Sequence, residues 1–385
     1  MKNSRMEMSI VLPCLNEEET LESCINEIQK MAAENEIDIE IIVADNGSTD
    51  GSIEIAERYK VKIVNVETKG YGAALHSGIL ATSNEYVLMG DSDMSYNFNH
   101  APQFLNALNS GADLVMGNRF RGGIHKGAMP WLHRYVGNPV LSQIARILFR
   151  IPVYDFHCGL RAIRKTVYLQ ASPVTKGMEF ATEMIIRISN VGGNIFEVPT
   201  ELRVDGRSRA PHLRSFPDGW RHLKLMLLYS PKFLQIYPGL ALMILGISGV
   251  FQYFFFGEIS LLFTKGSLQT GVFSLVSLSL GAQLFVSGVL NMEYAKQKGV
   301  LRFAGGGGLV KFLKSRFGVG TAFALFFLGF LLMIPLLSSW QDSNFSYLDP
   351  TPSSRVVFLS YFLGVMGAQI LISALQVRQF ASRFW

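Results

Sequence analysis

Tyr86-Val87-Leu88-Met89-Gly90-Asp91-Ser92-Asp93 decides the fold of this chain. Four strand-compatible residues run into two carboxylates one residue apart, the pattern of a buried parallel strand that opens at its C-terminal end into a polar cleft. One carboxylate at a strand end is commonly a loop cap. Two at this spacing can serve a hard cation, because Mg²⁺ and Mn²⁺ take oxygen ligands and are often held by one or two carboxylates plus the phosphates of a substrate. An isolated D-x-D is equally a solvated turn, so its weight depends on what flanks it.

Working outward, the 385 residues are 49% hydrophobic and 17% charged, and the apolar residues are unevenly spread. Roughly the first 230 have the composition of an ordinary α/β domain; after them come four apolar segments near the about 20 residues that a bilayer-crossing helix needs. The expected organisation is a cytoplasmic catalytic domain over 1–212, an amphipathic interfacial linker over 213–232, and a membrane domain with four spans over 233–385. The charged start, Met1-Lys2-Asn3-Ser4-Arg5, precedes only a short apolar run before Pro13, so no signal peptide is expected. Cys14, Cys24 and Cys158 are odd in number and lack metal spacing, which predicts buried reduced thiols. The net charge of +5 suits a membrane surface; no motif for nucleic acid is present.

In chain order, Met8 to Leu12 is a buried-strand run, followed by Pro13-Cys14-Leu15-Asn16-Glu17-Glu18 and a helix from Thr20 to Ala33, with Leu21, Ile25, Ile28 and Met31 on one face. A second strand, Ile39 to Ala44, ends in Asp45-Asn46-Gly47-Ser48-Thr49-Asp50, a loop rich in turn formers and helix caps. A third strand (Val61 to Val66) and a helix (Gly72 to Thr82) precede the strand ending at Asp91. Asp45 and Asp91 therefore both fall at carboxyl ends of parallel strands, where ligands bind in open α/β sheets.

Pro13-x-x-Asn16-Glu17, Asp45-Asn46-Gly47-Ser48-x-Asp50, Lys69-Gly70-x-Gly72-x-Ala74-x-x-x-Gly78 and Asp91-x-Asp93, in this order and spacing, resemble the inverting glycosyltransferases of family 2, and within them the polyprenyl-phosphate branch. The resemblance covers about residues 8 to 230. It implies an α/β GT-A fold, a Rossmann-like mixed sheet, followed by an all-α transmembrane domain of four helices. It further implies a nucleotide-sugar pocket of Pro13, Asn16, Glu17, Asp45, Asn46, Lys69 and Asp91, with a Mg²⁺ or Mn²⁺ ion on Asp93 and Asp91. A carboxylate at Asp45 can accept from uracil or from guanine, so UDP and GDP both stay open. Asn46 departs from relatives with a second Asp, and Ser95 stands where some carry Gln. For the glycines after Lys69, close helix packing is as good a reading as contact with the diphosphate.

Beyond Asp93, a strand (Ala112 to Met116) leads to the basic stretch Gly117-Asn118-Arg119-Phe120-Arg121-Gly122-Gly123, expected to be a flexible loop, and Pro130 to Asn138 mixes aromatic and cationic residues. Arg121 and Arg150 are taken as solvated. Arg119 and Arg134 match positions that face the acceptor phosphate in related lipid-phosphate enzymes, and a guanidinium grips phosphate bidentately. Asp155, in Asp155-Phe156-His157-Cys158-Gly159, is the candidate base; orienting the acceptor is as good a role, since a phosphomonoester with a second pKa near about 6 is already largely ionised. Glu183, on a predicted helix with Glu179, either lines the acceptor site or lies on a solvated face. Arg207 and Arg209, in a loop resembling the R-x-S-[KR] element of the branch, would close over the diphosphate and the lipid phosphate; attraction to anionic lipid is the rival reading.

Ser215 to Lys232 has the pattern of an interfacial helix. Spans are predicted at about Phe233–Phe256, Val272–Asn291, Thr321–Trp340 and Val356–Gln376. Lys296, Lys298, Arg302, Lys311, Lys314 and Arg316 lie between the second and third with Gly305–Gly308 as a hinge; Arg378 and Arg383 follow the fourth; the other loops show Lys265 and Arg355. This bias puts the catalytic domain, the middle loop and the C-terminus on the cytoplasmic side. The reading is an integral membrane enzyme with a nucleotide-sugar donor and a polyprenyl phosphate acceptor, and homo-oligomerisation through the spans stays open. A lipid-linked sugar transporter is disfavoured because the spans hold only uncharged polar groups such as Gln283 and Gln369. A processive polysaccharide synthase lacks its Q-x-x-R-W motif here. A glycosyltransferase with another acceptor and a nucleotide-binding scaffold remain as alternatives.

Overall fold

β1 (Glu7–Cys14) lies inside the sheet, third of seven strands, and sets the site. Met8, Ile10, Val11 and Leu12 are all fully buried, so this strand is apolar on both faces, as a parallel strand covered by helices on both sides must be. The computed structural model describes residues 6–209, 215–255, 267–297, 301, 306–346 and 350–381. By contacts the chain divides into two units, Met1–Met226 and Leu227–Trp385.

In the first unit, α1 (Leu21–Glu34) follows β1 and buries Leu21, Cys24, Ile25, Ile28 and Met31, the helical spacing read from the sequence. Next come β2 (Asp38–Asp45), α2 (Ser52–Arg58), β3 (Lys62–Asn65), α3 (Tyr71–Ala81) and β4 (Tyr86–Met89). Then follow α4 (Ala101–Asn109), β5 (Leu114–Asn118), α5 (Arg119–Gly122), α6 (Asn138–Phe149), β6 (Arg161–Arg164), α7 (Lys165–Ala171), α8 (Phe180–Val191), β7 (Ile195–Pro199) and α9 (Ser215–Leu228). The sheet order is β3-β2-β1-β4-β6-β5-β7. β1 pairs in parallel with both β2 and β4, and Cys14 lies opposite Asp45 in register. β6 is antiparallel to β4 and β5, which makes the sheet mixed. The chain reverses its direction of strand addition between β1 and β4, and the crevice at the carboxyl ends of such strands is where an open α/β sheet binds ligands.

β6 does not read as a strand in the sequence, because Arg161-Ala162-Ile163-Arg164 is short and flanked by arginines. Burial explains it: Ala162 and Ile163 are fully enclosed and Arg161 is nearly so. The stretch expected as a basic flexible loop is also ordered. β5 continues to Asn118, whose side chain accepts from Arg121 N at 3.0 Å and starts the short helix α5. Gly122 sits against the backbone of Thr200, leaving no room for a Cβ. The cysteines are buried and free as read, and burial pushes the thiols up, to about 11 for Cys14 and about 12 for Cys24 and Cys158.

The second unit holds α10 (Tyr237–Phe255), α11 (Leu268–Gln297), α12 (Gly307–Lys314), α13 (Arg316–Asp342) and α14 (Pro350–Ala381). Four segments among the described residues are long and apolar enough to cross a membrane: Lys232–Phe255, Leu268–Gln297, Arg316–Asp342 and Ser353–Gln379. α10 packs on α11 through glycines; a Cβ on Gly239 would lie 2.9 Å from the Gly281 carbonyl oxygen. Gln369 Nε2 donates to the Ser279 carbonyl at 3.0 Å, so this intramembrane amide ties α14 to α11. Where a glycine hinge was expected, Gly306 caps and Gly307 begins α12, whose Val310 and Leu313 pack on Val289, Leu290 and Val377. Ala210 to Arg214, Phe256, Lys265, Lys298, Arg302, Gly305 and Arg383 lie outside the described residues.

Candidate active site

Three strand ends and one returning loop build the site. β1 delivers Pro13 to Glu17, β2 delivers Asp45 and Asn46, and β4 delivers Asp91 to Asp93. The loop after β7 is laced across them by its backbone: Arg203 N donates to Ser95 O at 2.8 Å and Gly206 N to Asp93 O at 2.9 Å. Beneath it is a cleft of about 380 Å³, walled by Pro13, Glu17, Asn46, Lys69, Asp91, Asp93 and Arg207 among others. The sequence points to each of these seven separately, and the fold brings them together.

The acidic side is crowded. Asp93 Oδ1 accepts from Ser95 N at 3.0 Å and from the Ser95 hydroxyl, while Oδ2 meets Arg207 Nη2 at 2.7 Å. Asp91 Oδ1 accepts from the Tyr71 hydroxyl at 2.8 Å. Burial first, and then the neighbouring Asp93, push the Asp91 carboxyl up to about 6. Burial also raises Glu17, with Arg207 and Arg209 pulling it back. Arg207 spans Asp93, Asp205 and Glu17, and these acids hold its proton more tightly although burial opposes them. Arg209 reaches Glu17 Oε1 at 2.9 Å and the carbonyls of Leu15 and Asn16.

Asp91 and Asp93 fit a divalent cation by their chemistry: two hard oxygen donors one residue apart, whose burial and mutual repulsion, which raise Asp91, a bound cation would relieve. Among the described residues no group of three or more His, Cys, Asp or Glu converges on one point, so the remaining ligands would have to come from a bound diphosphate or water. His157 and Cys158 accordingly form no metal site with other described residues.

On the nucleotide side the loops brace one another. Asn46 Nδ2 donates to Val66 O at 3.1 Å and Thr68 O at 2.8 Å, its Oδ1 accepts from Gly70 N at 2.7 Å, and its carbonyl accepts from Lys69 Nζ at 2.7 Å. Only an amide can donate to two carbonyls and accept from an N–H at once, so the departure from Asp is a structural choice. Asp45 caps its own loop, accepting from Gly47 N at 2.9 Å and Ser48 N at 3.1 Å. Gly47 has φ +91, a left-handed backbone that favours glycine, and a Cβ there would push Lys69 Nζ off the Asn46 carbonyl. Asn16, also left-handed at φ 59, accepts from Thr49 N at 2.7 Å.

Toward the expected acceptor side, Arg119 and Asp155 are locked together. Nε and Nη2 of Arg119 each lie 2.7 Å from an Asp155 oxygen, and Arg119 N donates to the same carboxylate at 3.0 Å. Asp155 is fully buried and Arg119 nearly so. Burial opposes the guanidinium's charge, but Asp155 outweighs it and holds Arg119 above its usual value. Arg134 is half-buried in a widened helical turn, His133–Gly137, 5.5 Å from the Tyr135 ring centroid. Glu183 is buried, with Arg187 Nε at 2.6 Å from one oxygen and Thr175 N at 2.7 Å from the other, so both oxygens are held internally and it lies on no solvated face.

Two groups at the site escape a reading of the sequence. Tyr71 falls at an unspecified position among the motif glycines; its hydroxyl is the direct partner of Asp91. Arg161 is buried, donates to the carbonyls of Cys158, Ala181 and Phe156, and lends its charge to Asp91 through space. Nothing in an R-x-x-R stretch marks one arginine as internal.

Residues 9–170 match the family model for glycosyl transferase family 2, and residues 301–380 match that for the C-terminal transmembrane region of family 2 glycosyltransferases. The chain belongs to glycosyltransferase family 2: its first unit is a GT-A-like mixed-sheet domain, and with its four apolar helices it is a membrane protein. It is 36% identical over 241 residues to the low-salt glycan biosynthesis hexosyltransferase Agl6 of Haloferax volcanii, covering 62% of this chain and 58% of that protein, less than two thirds of its length. A dolichyl-phosphate hexose transferase of the same organism is 32% identical over 199 residues, which are 51% of this chain and 83% of that one. Among solved structures, glucosyl-3-phosphoglycerate synthase from Mycobacterium tuberculosis, in complex with Mn²⁺, UDP and glucosyl-3-phosphoglycerate, is 26% identical with a TM-score of 0.47, covering 58% of this chain and 79% of that one.

Proposed function

We propose that this glycosyltransferase moves a hexose, with inversion, from a UDP- or GDP-sugar to a polyprenyl or dolichyl phosphate at the cytoplasmic membrane face. The observation that carries it is the convergence of Asp91, Asp93, Glu17, Asn46, Lys69 and Arg207 on one cleft at the strand ends. Similarity to a dolichyl-phosphate hexose transferase supports the acceptor class.

In this reading Asp93, with Asp91, holds Mg²⁺ or Mn²⁺, which supplies Lewis-acid stabilisation of the departing diphosphate. Pro13, Asn16, Glu17, Asp45, Asn46 and Lys69 form and brace the nucleotide side. Arg207 neutralises Asp93 across the cleft, with Arg209 beside it; a bound diphosphate would offer these guanidiniums its oxygens in place of the carboxylates that a cation would take. Arg119 and Arg134 face the acceptor phosphate. With both oxygens held by Arg119, Asp155 orients that guanidinium; an ionised phosphate acceptor asks for no base. The concentration of Lys296, Lys311, Lys314 and Arg316 between the second and third spans supports a cytoplasmic location for the catalytic unit.

Incubating the full chain with labelled UDP- and GDP-hexoses, Mn²⁺ and a short-chain polyprenyl phosphate tests the proposal. Label in the lipid phase with the anomeric configuration inverted relative to the donor supports it. Transfer to another acceptor alone, or retained configuration, overturns it.

A further inference from the structure

The catalytic unit has a second groove, of about 320 Å³, that shares no lining residue with the donor cleft. Asn118, Phe120 and Arg121 come to it from the β5–α5 corner, Ser142 and Arg146 from α6, and Tyr154 from the loop beyond. Two guanidiniums stack on one tyrosine here: Arg146 Cζ lies 4.0 Å from the Tyr154 ring centroid and Arg121 Cζ 5.3 Å. Stacking holds a guanidinium's plane while leaving its N–H edge open to an anion. Arg146 Nη1 donates to Gln143 Oε1 at 3.0 Å, and among the described residues neither arginine is paired with a carboxylate.

The nearby Glu197 carboxylate accepts instead from the backbone N–H groups of Tyr154 and Asp155, at 2.7 and 3.0 Å. From Leu114 to Tyr154 there is no Asp or Glu, whereas Arg119, Arg121, Lys126, Arg134, Arg146 and Arg150 all fall in this stretch. Among the described residues only Arg119 of these six is neutralised, by Asp155. An ordinary solvated surface interleaves both signs of charge; the stretch from Leu114 to Tyr154 instead exposes apolar side chains among its cations, Trp131 at 68%, Tyr135 at 59%, Ile147 at 53% and Val140 at 50%. Exposed aromatics and aliphatics next to uncompensated arginines are the composition of a surface that meets lipid headgroups.

We propose that the Arg121–Tyr154–Arg146 groove binds the phosphate of an anionic phospholipid headgroup, with the exposed apolar side chains of Trp131 to Ile147 resting at the acyl boundary. The two guanidiniums take the phosphate oxygens and Tyr154 holds both in place. A free phosphate would satisfy the arginines but leaves the apolar fringe unexplained. Neither Arg119 nor Arg134, the arginines that the proposed function gives to the acceptor phosphate, lines this groove. The site is thus one for a bulk membrane lipid, which seats the catalytic unit on a negatively charged bilayer.

The test is native mass spectrometry of the detergent-purified full chain titrated with phosphatidylglycerol or phosphatidylcholine. Arg121→Gln/Arg146→Gln should retain at least about threefold less phosphatidylglycerol than the unaltered protein, with equal phosphatidylcholine and unchanged binding of UDP or GDP. Arg121→Lys/Arg146→Lys should recover part of the loss. Should the double Gln variant prove unstable, Arg146→Gln alone, which removes the closer stack, carries the same expectation. Undiminished phosphatidylglycerol retention overturns the proposal. So does full displacement of the lipid by millimolar inorganic phosphate, or an equal loss of short-chain polyprenyl phosphate binding, which would assign the groove to a free anion or to the acceptor. Because the readout is bound lipid, it stands or falls independently of which sugar and acceptor the enzyme uses.

Discussion

Asp91 is a carboxylate held where ionisation is costly. Its folded-state pKa of about 6 lies above the usual 3.8, so it favours the folded state fully below about pH 4, and that contribution is lost as pH rises through about 6. Metal-free protein should therefore lose melting temperature between about pH 4 and about pH 6, Asp91→Asn should lose less, and affinity for Mn²⁺ should rise over the same interval. Melting curves with and without Mn²⁺ check this; an Asp91→Asn protein with an unchanged pH profile contradicts it. Asn46 makes the complementary point. Asn46→Asp faces two carbonyls with a carboxylate and should destabilise the protein by about 1–3 kcal/mol while raising the donor KM, read from melting and donor saturation. From the chain alone Asn46 looks like a clue to the base of the donor. Its bracing role depends on Val66, Thr68 and Gly70 lying alongside it, which no local spacing reveals.

At the scale of elements, the β5–α5 corner joins fold and site. Removing Arg119 leaves Asp155 buried and unpaired, so Arg119→Ala should cost about 3–5 kcal/mol of stability, beyond any effect on the acceptor. Arg119→Met/Asp155→Leu, which removes both charges, should recover most of the stability but none of the acceptor use; denaturant unfolding and acceptor kinetics separate the two. If the single variant unfolds like the unaltered protein, the buried pair is not structural. The first four strands, their helices and the four spans are legible in the sequence because buried parallel strands and membrane helices are long apolar runs with caps at their ends. β6 and α5 are not, because short segments rich in arginine become a strand or a helical turn only when tertiary contacts take up their polar groups. The site divides similarly: strand-end acids carry a signal in their spacing, whereas Tyr71, Arg161 and the Tyr154 stack are defined by what lies across from them.

For the whole molecule, the proposed transfer at the cytoplasmic face, with the positive-inside bias, predicts that the catalytic unit and α12 are both reached from that side of the membrane. Single cysteines placed at Lys60 and at Lys311, in a chain whose Cys14, Cys24 and Cys158 stay buried, should both be shielded from an impermeant maleimide in intact cells and labelled after permeabilisation. Labelling of either in intact cells contradicts the topology. The central claim is that an ion on Asp93 and Asp91 drives sugar transfer to a lipid phosphate, and turnover of Asp93→Ala tests it most directly. With the donor and polyprenyl phosphate used by the unaltered enzyme, Asp93→Ala should lose on the order of 10³-fold or more in rate, from several kcal/mol of lost charge stabilisation, while keeping its melting temperature within a few degrees. Near-normal transfer by a folded Asp93→Ala protein would contradict the account.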